Sequence, residues 1–234
     1  MVDTYGLEEV MIPENQHIPE ELHSKPKCNI FMSPEFRTPD VESNRGRRAL
    51  VLIQGSGAVR AGMWARSVCI NESLELGSML PFLSVCRDLG IPVLVMNPNA
   101  NFDPTSREAI PLGMQHEKYV WGRYVKDSGF DQISIVAHSA GGGGLMSIQT
   151  TFADTFYDMV SSIAYTDSWV ISKQNLNPEQ KKFMFLKAVH YEASQRPLDS
   201  IISANMATDT CPIRSAGHIK HEYTTGTSQY SILK

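Results

Sequence analysis

The sequence lacks the long apolar run that a membrane-spanning helix requires. No apolar stretch among the 234 residues approaches the ~18 residues needed to cross a bilayer. The first nine residues, Met1–Glu9, also lack the basic segment and following apolar segment of a secretory signal peptide. These absences predict a protein of the nucleus and cytoplasm that has no membrane partner.

Paired cysteines and large basic clusters are absent as well. The four cysteines are far apart and form no Cys-x-x-Cys pair, so we expect no disulfide framework, no metal site and no cofactor. The net charge is −4, and the basic cluster Arg45–Arg48 is short. We interpret that cluster as a solvated turn, with a phosphate contact or a localisation signal as the alternative. Direct binding of nucleic acid is not expected, because phosphate contacts depend on clustered Lys and Arg.

The sequence does contain an alternation of apolar runs and helix-like segments. The apolar runs, rich in β-branched residues, are 29–32, 49–53, 91–96, 132–136 and 159–165. Segments with helical spacing lie at 78–89, 116–126, 145–156 and 178–191. This alternation predicts an α/β fold with a mostly parallel sheet. Residues 1–28 are interpreted as an extended lead-in without an assigned fold, and residues 29–234 as one domain.

Residues 137–144, AHSAGGGG, follow a buried strand and combine a serine with small neighbours. A serine on a strained strand-to-helix turn, a nucleophile elbow, brings the residues two before and two after it close together. Ala137 and Gly141 occupy those positions and are small enough. Ser139 is therefore the candidate nucleophile. The alternative is a glycine-rich turn whose serine only caps the next helix.

A nucleophilic serine needs a base and an acid that orients the base. Asp167 closes the run 160–166, and its carboxylate is the candidate acid, although it could equally cap the next segment. His218 and His221 follow a short candidate strand at 211–217, and either could be the base. We place His190 within the helix 178–191 and assign it to packing. We expect His138 to point off the opposite side of the turn, with a structural role.

A glycine-containing loop follows the run 49–53 and supplies candidate oxyanion donors. In serine hydrolases of this type, backbone N–H groups from such a loop and from the residue after the nucleophile bind the developing negative charge. Here these groups belong to Gly55, Ser56 and Ala140. A dinucleotide-binding loop is excluded, because Arg60 stands where its third glycine would be.

Several longer blocks of sequence resemble one known family. The blocks are Gly55–Arg66, Ile70–Glu72, Pro81–Phe82, Asn97–Asn99, Tyr119–Trp121, Val136–Ser139, Thr166–Ser168 and 215–222. Together they are similar to the Argonaute-binding-protein-two (Arb-type) domain family, from about Asn29 to the end of the chain. The family's α/β-hydrolase-like fold implies a three-layer sandwich around the sheet.

The resemblance also implies a function and a choice of base. It implies a cotranscriptional regulator whose partners are Argonaute and chromatin-associated proteins, with roles in gene silencing and alternative splicing. By the family's motifs, Ser139 would be the nucleophile, Asp167 the acid and His221 the base. An active serine esterase or other acyl hydrolase is the alternative function. Gln54 departs from the pattern, since histidine is expected before the first glycine of the oxyanion loop.

Overall fold

The computed structural model describes residues 1–234 and centres on one nine-stranded sheet. The strands, numbered β1 to β9 along the chain, are Glu8–Ile12, Cys28–Met32, Arg48–Ile53, Val93–Val95, Gln132–His138, Val160–Thr166, Ala188–Glu192, Ile201–Ser203 and Ile213–Ser215. Their order in the sheet is β1-β2-β4-β3-β5-β6-β7-β9-β8. Six neighbouring strands are parallel to one another, namely β4, β3, β5, β6, β7 and β9, while β1, β2 and β8 pair antiparallel at the edges.

Helices cover both faces of this sheet. Numbered α1 to α11, they are Val2–Tyr5, Pro34–Arg37, Val41–Asn44, Arg66–Asn71, Leu74–Gly77, Leu80–Leu89, His116–Val120, Gly141–Thr151, Ala153–Met159, Pro178–Lys187 and Thr224–Ile232. A π-helical turn, Trp121–Val125, continues α7. The short 3-10 helices are Asn15–His17, Glu20–Leu22, Lys173–Asn175 and His221–Tyr223. No helix is both long enough and apolar enough to span a membrane.

The two faces of the sheet bury separate cores of unequal size. Alternate residues of each strand point to opposite faces, so neighbouring residues of one strand belong to different cores. Residues such as Ile135 and Ile163 belong to a cluster of 32 buried residues beneath α7 to α10. Their neighbours Val136 and Ala164 belong to a cluster of 12 beneath α6, with the end of α11 packed against it. The predicted α/β fold with three layers and a mostly parallel sheet is confirmed.

Two parts of the chain differ from the sequence interpretation. Residues 8–12 form the edge strand β1, paired with β2, where no element was assigned. The helix predicted over 178–191 is wrong at its end, because α10 stops at Lys187 and residues 188–192 form β7. A short apolar run fits a buried strand as well as a buried helix, and pairing with β6 decides between them. His190 therefore lies on a strand beside the candidate site.

Candidate active site

Ser139 occupies a sharp turn between β5 and α8. Its φ angle is 53°, in the left-handed region that most side chains avoid. The Ser139 N–H donates a hydrogen bond to the Thr166 carbonyl at 3.1 Å, which ties the turn to the end of β6. A positive φ at a serine between a strand and a helix is the geometry of a nucleophile elbow.

The glycines around Ser139 are needed because other segments pass close by. A Cβ added at Gly141 would lie 2.6 Å from the Ile53 carbonyl oxygen, and one at Gly55 would lie 2.7 Å from the Ser139 Cβ. Side chains at both positions would collide with backbone or with the serine itself. The loop after β3 and the elbow therefore lie in close contact at Gly55 and Gly141.

The rest of the glycine run brings α8 against two further segments. A Cβ at Gly142 would collide with the Ser168 hydroxyl and the Trp169 carbonyl, and one at Gly143 would lie 2.9 Å from the Trp169 ring. At Gly144 it would collide with the buried carboxylate of Glu117 on α7. A glycine-rich turn alone therefore does not describe this segment, because Gly141–Gly144 form the closely packed start of α8.

Asp167 and His221 meet at the carboxyl edge of the sheet, although 54 residues separate them. Asp167 directly follows β6 and has a φ of 43°. Its Oδ2 lies 2.7 Å from His221 Nδ1, and its Oδ1 accepts a weaker hydrogen bond from the Ala193 N–H at 3.4 Å. An ionised carboxylate only accepts, so the His221 Nδ1 carries the hydrogen. This leaves Nε2 with the lone pair that a general base requires.

The imidazole of His221 lies beside the elbow. Its ring centroid is 4.8 Å from that of His138, the residue that precedes Ser139, and the two rings are tilted by 31°. The Ser139 hydroxyl makes no hydrogen bond to His221, so the structure joins the acid to the base but not the base to the serine. Catalytic hydrogen bonds of this kind often form only when substrate binds.

His138 is oriented differently from the sequence interpretation. Its ring does not point away from the site but faces the ring of His221. It is buried, and its Nδ1–H donates to the Thr166 carbonyl at 3.0 Å. Burial, and secondarily the charge of His221, lower the pKa of His138 to about 4. At neutral pH this side chain is therefore an uncharged support for the His221 ring.

The other two candidate histidines have separate contacts. His218 stacks on the Tyr223 ring at a centroid distance of 4.2 Å and makes no hydrogen bond to Asp167. His190 accepts a hydrogen bond from the Ser168 N–H through Nε2 at 3.0 Å, and burial lowers the pKa of this imidazole to about 4. The geometry thus favours His221 over His218 as the partner of Asp167.

Ser168 links the two halves of the site, and sequence reasoning did not single it out. Its hydroxyl donates to the Ser139 carbonyl at 2.6 Å, while its N–H is held by His190. Because Ser168 directly follows Asp167, these bonds set the position of the acid relative to the elbow. In the sequence, Ser168 stood out only as the end of the block Thr166–Ser168, beside the candidate acid.

The candidate oxyanion donors lie where the loop after β3 meets the elbow. The Gly55 carbonyl accepts a hydrogen bond from the Asn99 side chain at 2.8 Å. In a trans peptide the carbonyl and the next N–H point in opposite directions, so Asn99 also sets the direction of the Ser56 N–H. Neither Ser56 nor Ala140 donates a backbone hydrogen bond within the chain. Both N–H groups are therefore available to an oxyanion.

Gln54, where the sequence departs from the expected histidine, lies beneath this loop and is fully buried. Its side-chain amide donates to the Val59 carbonyl at 3.3 Å and to the Asn97 Oδ1 at 3.2 Å. Gln54 thus holds the two ends of the oxyanion loop together.

Among the His, Cys, Asp and Glu side chains, no group of three is arranged to hold a metal ion. The thiols of Cys28, Cys86 and Cys211 are buried, which raises the pKa of each to about 12.

The strand order, the elbow after β5 and the acid after β6 are those of an α/β-hydrolase-like domain. Among solved structures, a histone deacetylase from Saccharomyces cerevisiae has a similar fold, with a TM-score of 0.56 and 10% sequence identity. That similarity covers 99% of this chain and 89% of the yeast chain.

The chain belongs to the Arb2 domain family, which matches residues 1–111 and 112–198. Curated relatives include the cotranscriptional regulator ARB2A homolog of Xenopus tropicalis, 27% identical over 284 residues. The cotranscriptional regulator ARB2A of Homo sapiens is 28% identical over 283 residues. These alignments cover 97% and 98% of this chain. The chain spans 64% and 65% of the length of these two relatives.

Proposed function

We propose that this chain is a cotranscriptional regulator that acts with an Argonaute protein and chromatin-associated partners in the nucleus and cytoplasm. The observation that supports the proposal is the similarity to regulators named ARB2A, which extends over 97% of the chain in the frog homolog. The fold offers a rigid platform for such partners. Its α/β-hydrolase-like architecture does not by itself define a function, because one fold hosts many.

The regulator proposal is tested by affinity purification of the tagged chain from its own cells, followed by detection of Argonaute. We expect Argonaute to be enriched over a tag-only control, and equally so with the Ser139→Ala variant, which leaves the platform intact. Failure of Argonaute to be enriched with the folded wild-type chain would contradict the proposal.

We infer a second function, serine acyl hydrolysis, because Asp167 already holds His221 in the tautomer of a general base. His221 Nε2 takes the proton of Ser139 Oγ as that oxygen attacks the acyl carbon. The Ser56 and Ala140 N–H groups stabilise the resulting oxyanion. The proton then passes from His221 to the leaving group, and water releases the acyl group from Ser139 by the same steps.

The hydrolase proposal is tested with a fluorophosphonate probe, which forms a covalent bond with activated serines. We expect one probe per chain, with the labelled residue identified as Ser139 by mass spectrometry. Ser139→Ala should abolish labelling, whereas Ser24→Ala, a change at an exposed serine outside the site, should leave it unchanged. Absence of labelling in the folded wild-type chain would contradict this function and leave the regulator proposal standing.

A further inference from the structure

An apolar groove lies at the opposite edge of the sheet from Ser139. It has a volume of about 570 Å³ and runs between α6 and the end of α11. Its floor includes Val136 and Ala164, and Phe82 of α6 forms one wall. Arg48 and Gln132, the first residues of β3 and β5, line its outer end. The lining residues include none of Ser139, Asp167 and His221, so the groove is separate from the candidate active site.

The groove leaves part of a parallel sheet uncovered. Central parallel strands are normally buried on both faces. Here Ser162 of β6 is exposed, and its hydroxyl donates to the half-buried Ser134 of β5 at 2.8 Å. Large apolar side chains stand exposed on both rims, namely Leu89 (65% exposed) at the end of α6 and Leu186 (63% exposed) near the end of α10. An apolar molecule in the groove would cover these surfaces.

The charges around the groove are cationic. Arg48 and Lys187 line it, both exposed, and no aspartate or glutamate side chain is among the lining residues. Lys234 also lines it. The whole chain carries a net charge of −4, so a rim without acidic side chains is unusual for its surface. The groove therefore complements a molecule with an apolar body and an anionic end.

The size of the groove is that of a small-molecule site. Cavities of about 300–1,000 Å³ with apolar linings and few polar groups are typical of small-molecule sites.

We propose that this groove binds a free long-chain carboxylate. The acyl chain lies against the partly exposed side chains of Val85, Ile91 and Val189, and the carboxylate lies at the rim beside Arg48 or Lys187. The site is distinct from the Ser139 site, so binding does not depend on hydrolase activity.

The proposal is tested by fluorescence titration of the full chain with cis-parinaric acid, an 18-carbon carboxylate that becomes fluorescent in apolar surroundings. We expect saturable binding of one molecule per chain, displaced by palmitate and less well by hexadecanol, which lacks the charge. Binding should be unchanged in Ser139→Ala. The absence of saturable binding to the folded wild-type chain, or equal displacement by the alcohol, would overturn the proposal.

Substitutions in the groove test where the ligand binds. Ser162→Phe places a ring over the open floor at an exposed position and should abolish binding. The pair Arg48→Gln and Lys187→Gln should weaken it about two- to thirtyfold, from 0.2–1 kcal/mol for each exposed charge contact. Lys182→Gln removes the same charge from the same helix, α10, at an exposed position outside the groove, and should bind as the wild type does. Unchanged binding in both the ring variant and the double charge variant would overturn the proposed site.

Discussion

Replacing Asp167 with asparagine tests how the candidate site works. In the structure the carboxylate accepts a hydrogen bond from His221 Nδ1 at 2.7 Å. The carboxamide of asparagine has the same shape but can donate an N–H to Nδ1. That donation favours the tautomer with its hydrogen on Nε2, and Nε2 can then no longer take the proton of Ser139.

The size of the effect follows from the environment of the pair. In a buried serine protease site, the same change of acid lowers turnover by about 10⁴-fold, or about 5.5 kcal/mol. Here the Asp167 side chain is 25% exposed and that of His221 is 49% exposed. Solvent screens the charge interaction of such a pair, whereas the tautomer effect does not depend on screening. We therefore expect the labelling rate at Ser139 to fall by about 10²- to 10⁴-fold.

The assay is the second-order rate of fluorophosphonate labelling, with thermal unfolding as the check on folding. Asp158→Asn, at an exposed position on α9, is the matched control and should label at the wild-type rate. When two residues act as one unit, the effects of their substitutions on the rate do not add. The double variant with Asp167→Asn and His221→Gln should therefore label no more slowly than His221→Gln alone. A folded Asp167→Asn chain that labels within about threefold of the wild type would refute the proposed role of this acid.

Three further outcomes are expected. Gly144→Ala should lower the free energy of unfolding by about 1–3 kcal/mol, because the added methyl group collides with the Glu117 carboxylate; an unchanged urea midpoint would contradict this. Asn99→Ala should slow fluorophosphonate labelling about tenfold, since one oxyanion donor is worth 10²–10³-fold and this change only misdirects it. Its thermal midpoint should stay within a few degrees of the wild-type value, and an unchanged labelling rate would show that Asn99 does not position the donor. The unfolded chain should bind more protons than the folded chain between pH 6.5 and 4, because burial lowers the pKa of His138 and of His190 to about 4. Stability is then highest above pH 6.5 and declines toward pH 4, by up to about 3 kcal/mol for each histidine; urea unfolding at pH 7.5 and 4.5 measures the loss, and equal stability at both would contradict it.

Most helices and strands of residues 29–234 were predictable, because the spacing of apolar residues within a segment is a local property of the sequence. The runs 49–53 and 132–136 became β3 and β5, apolar on both faces as parallel strands require. The end of α10 was not predictable, because Ala188–Glu192 is a strand through its pairing with β6 and β9. The edge strand β1 was missed for a similar reason, since it is defined by its pairing with β2.

The amino-acid sequence by itself determined the elbow, because small residues around Ser139 permit a turn that larger side chains would block. It also made Asp167, which directly follows a strand, the candidate acid, with a capping role as the alternative. The residues alone left His218 and His221 as candidate bases, and the family resemblance favoured His221. Only the tertiary structure placed His221 against that acid and turned His138 toward His221 rather than away. The physical reason is that the distance between residues far apart in the chain depends on how strand ends and the following loops pack. A local pattern of residue types contains no such information.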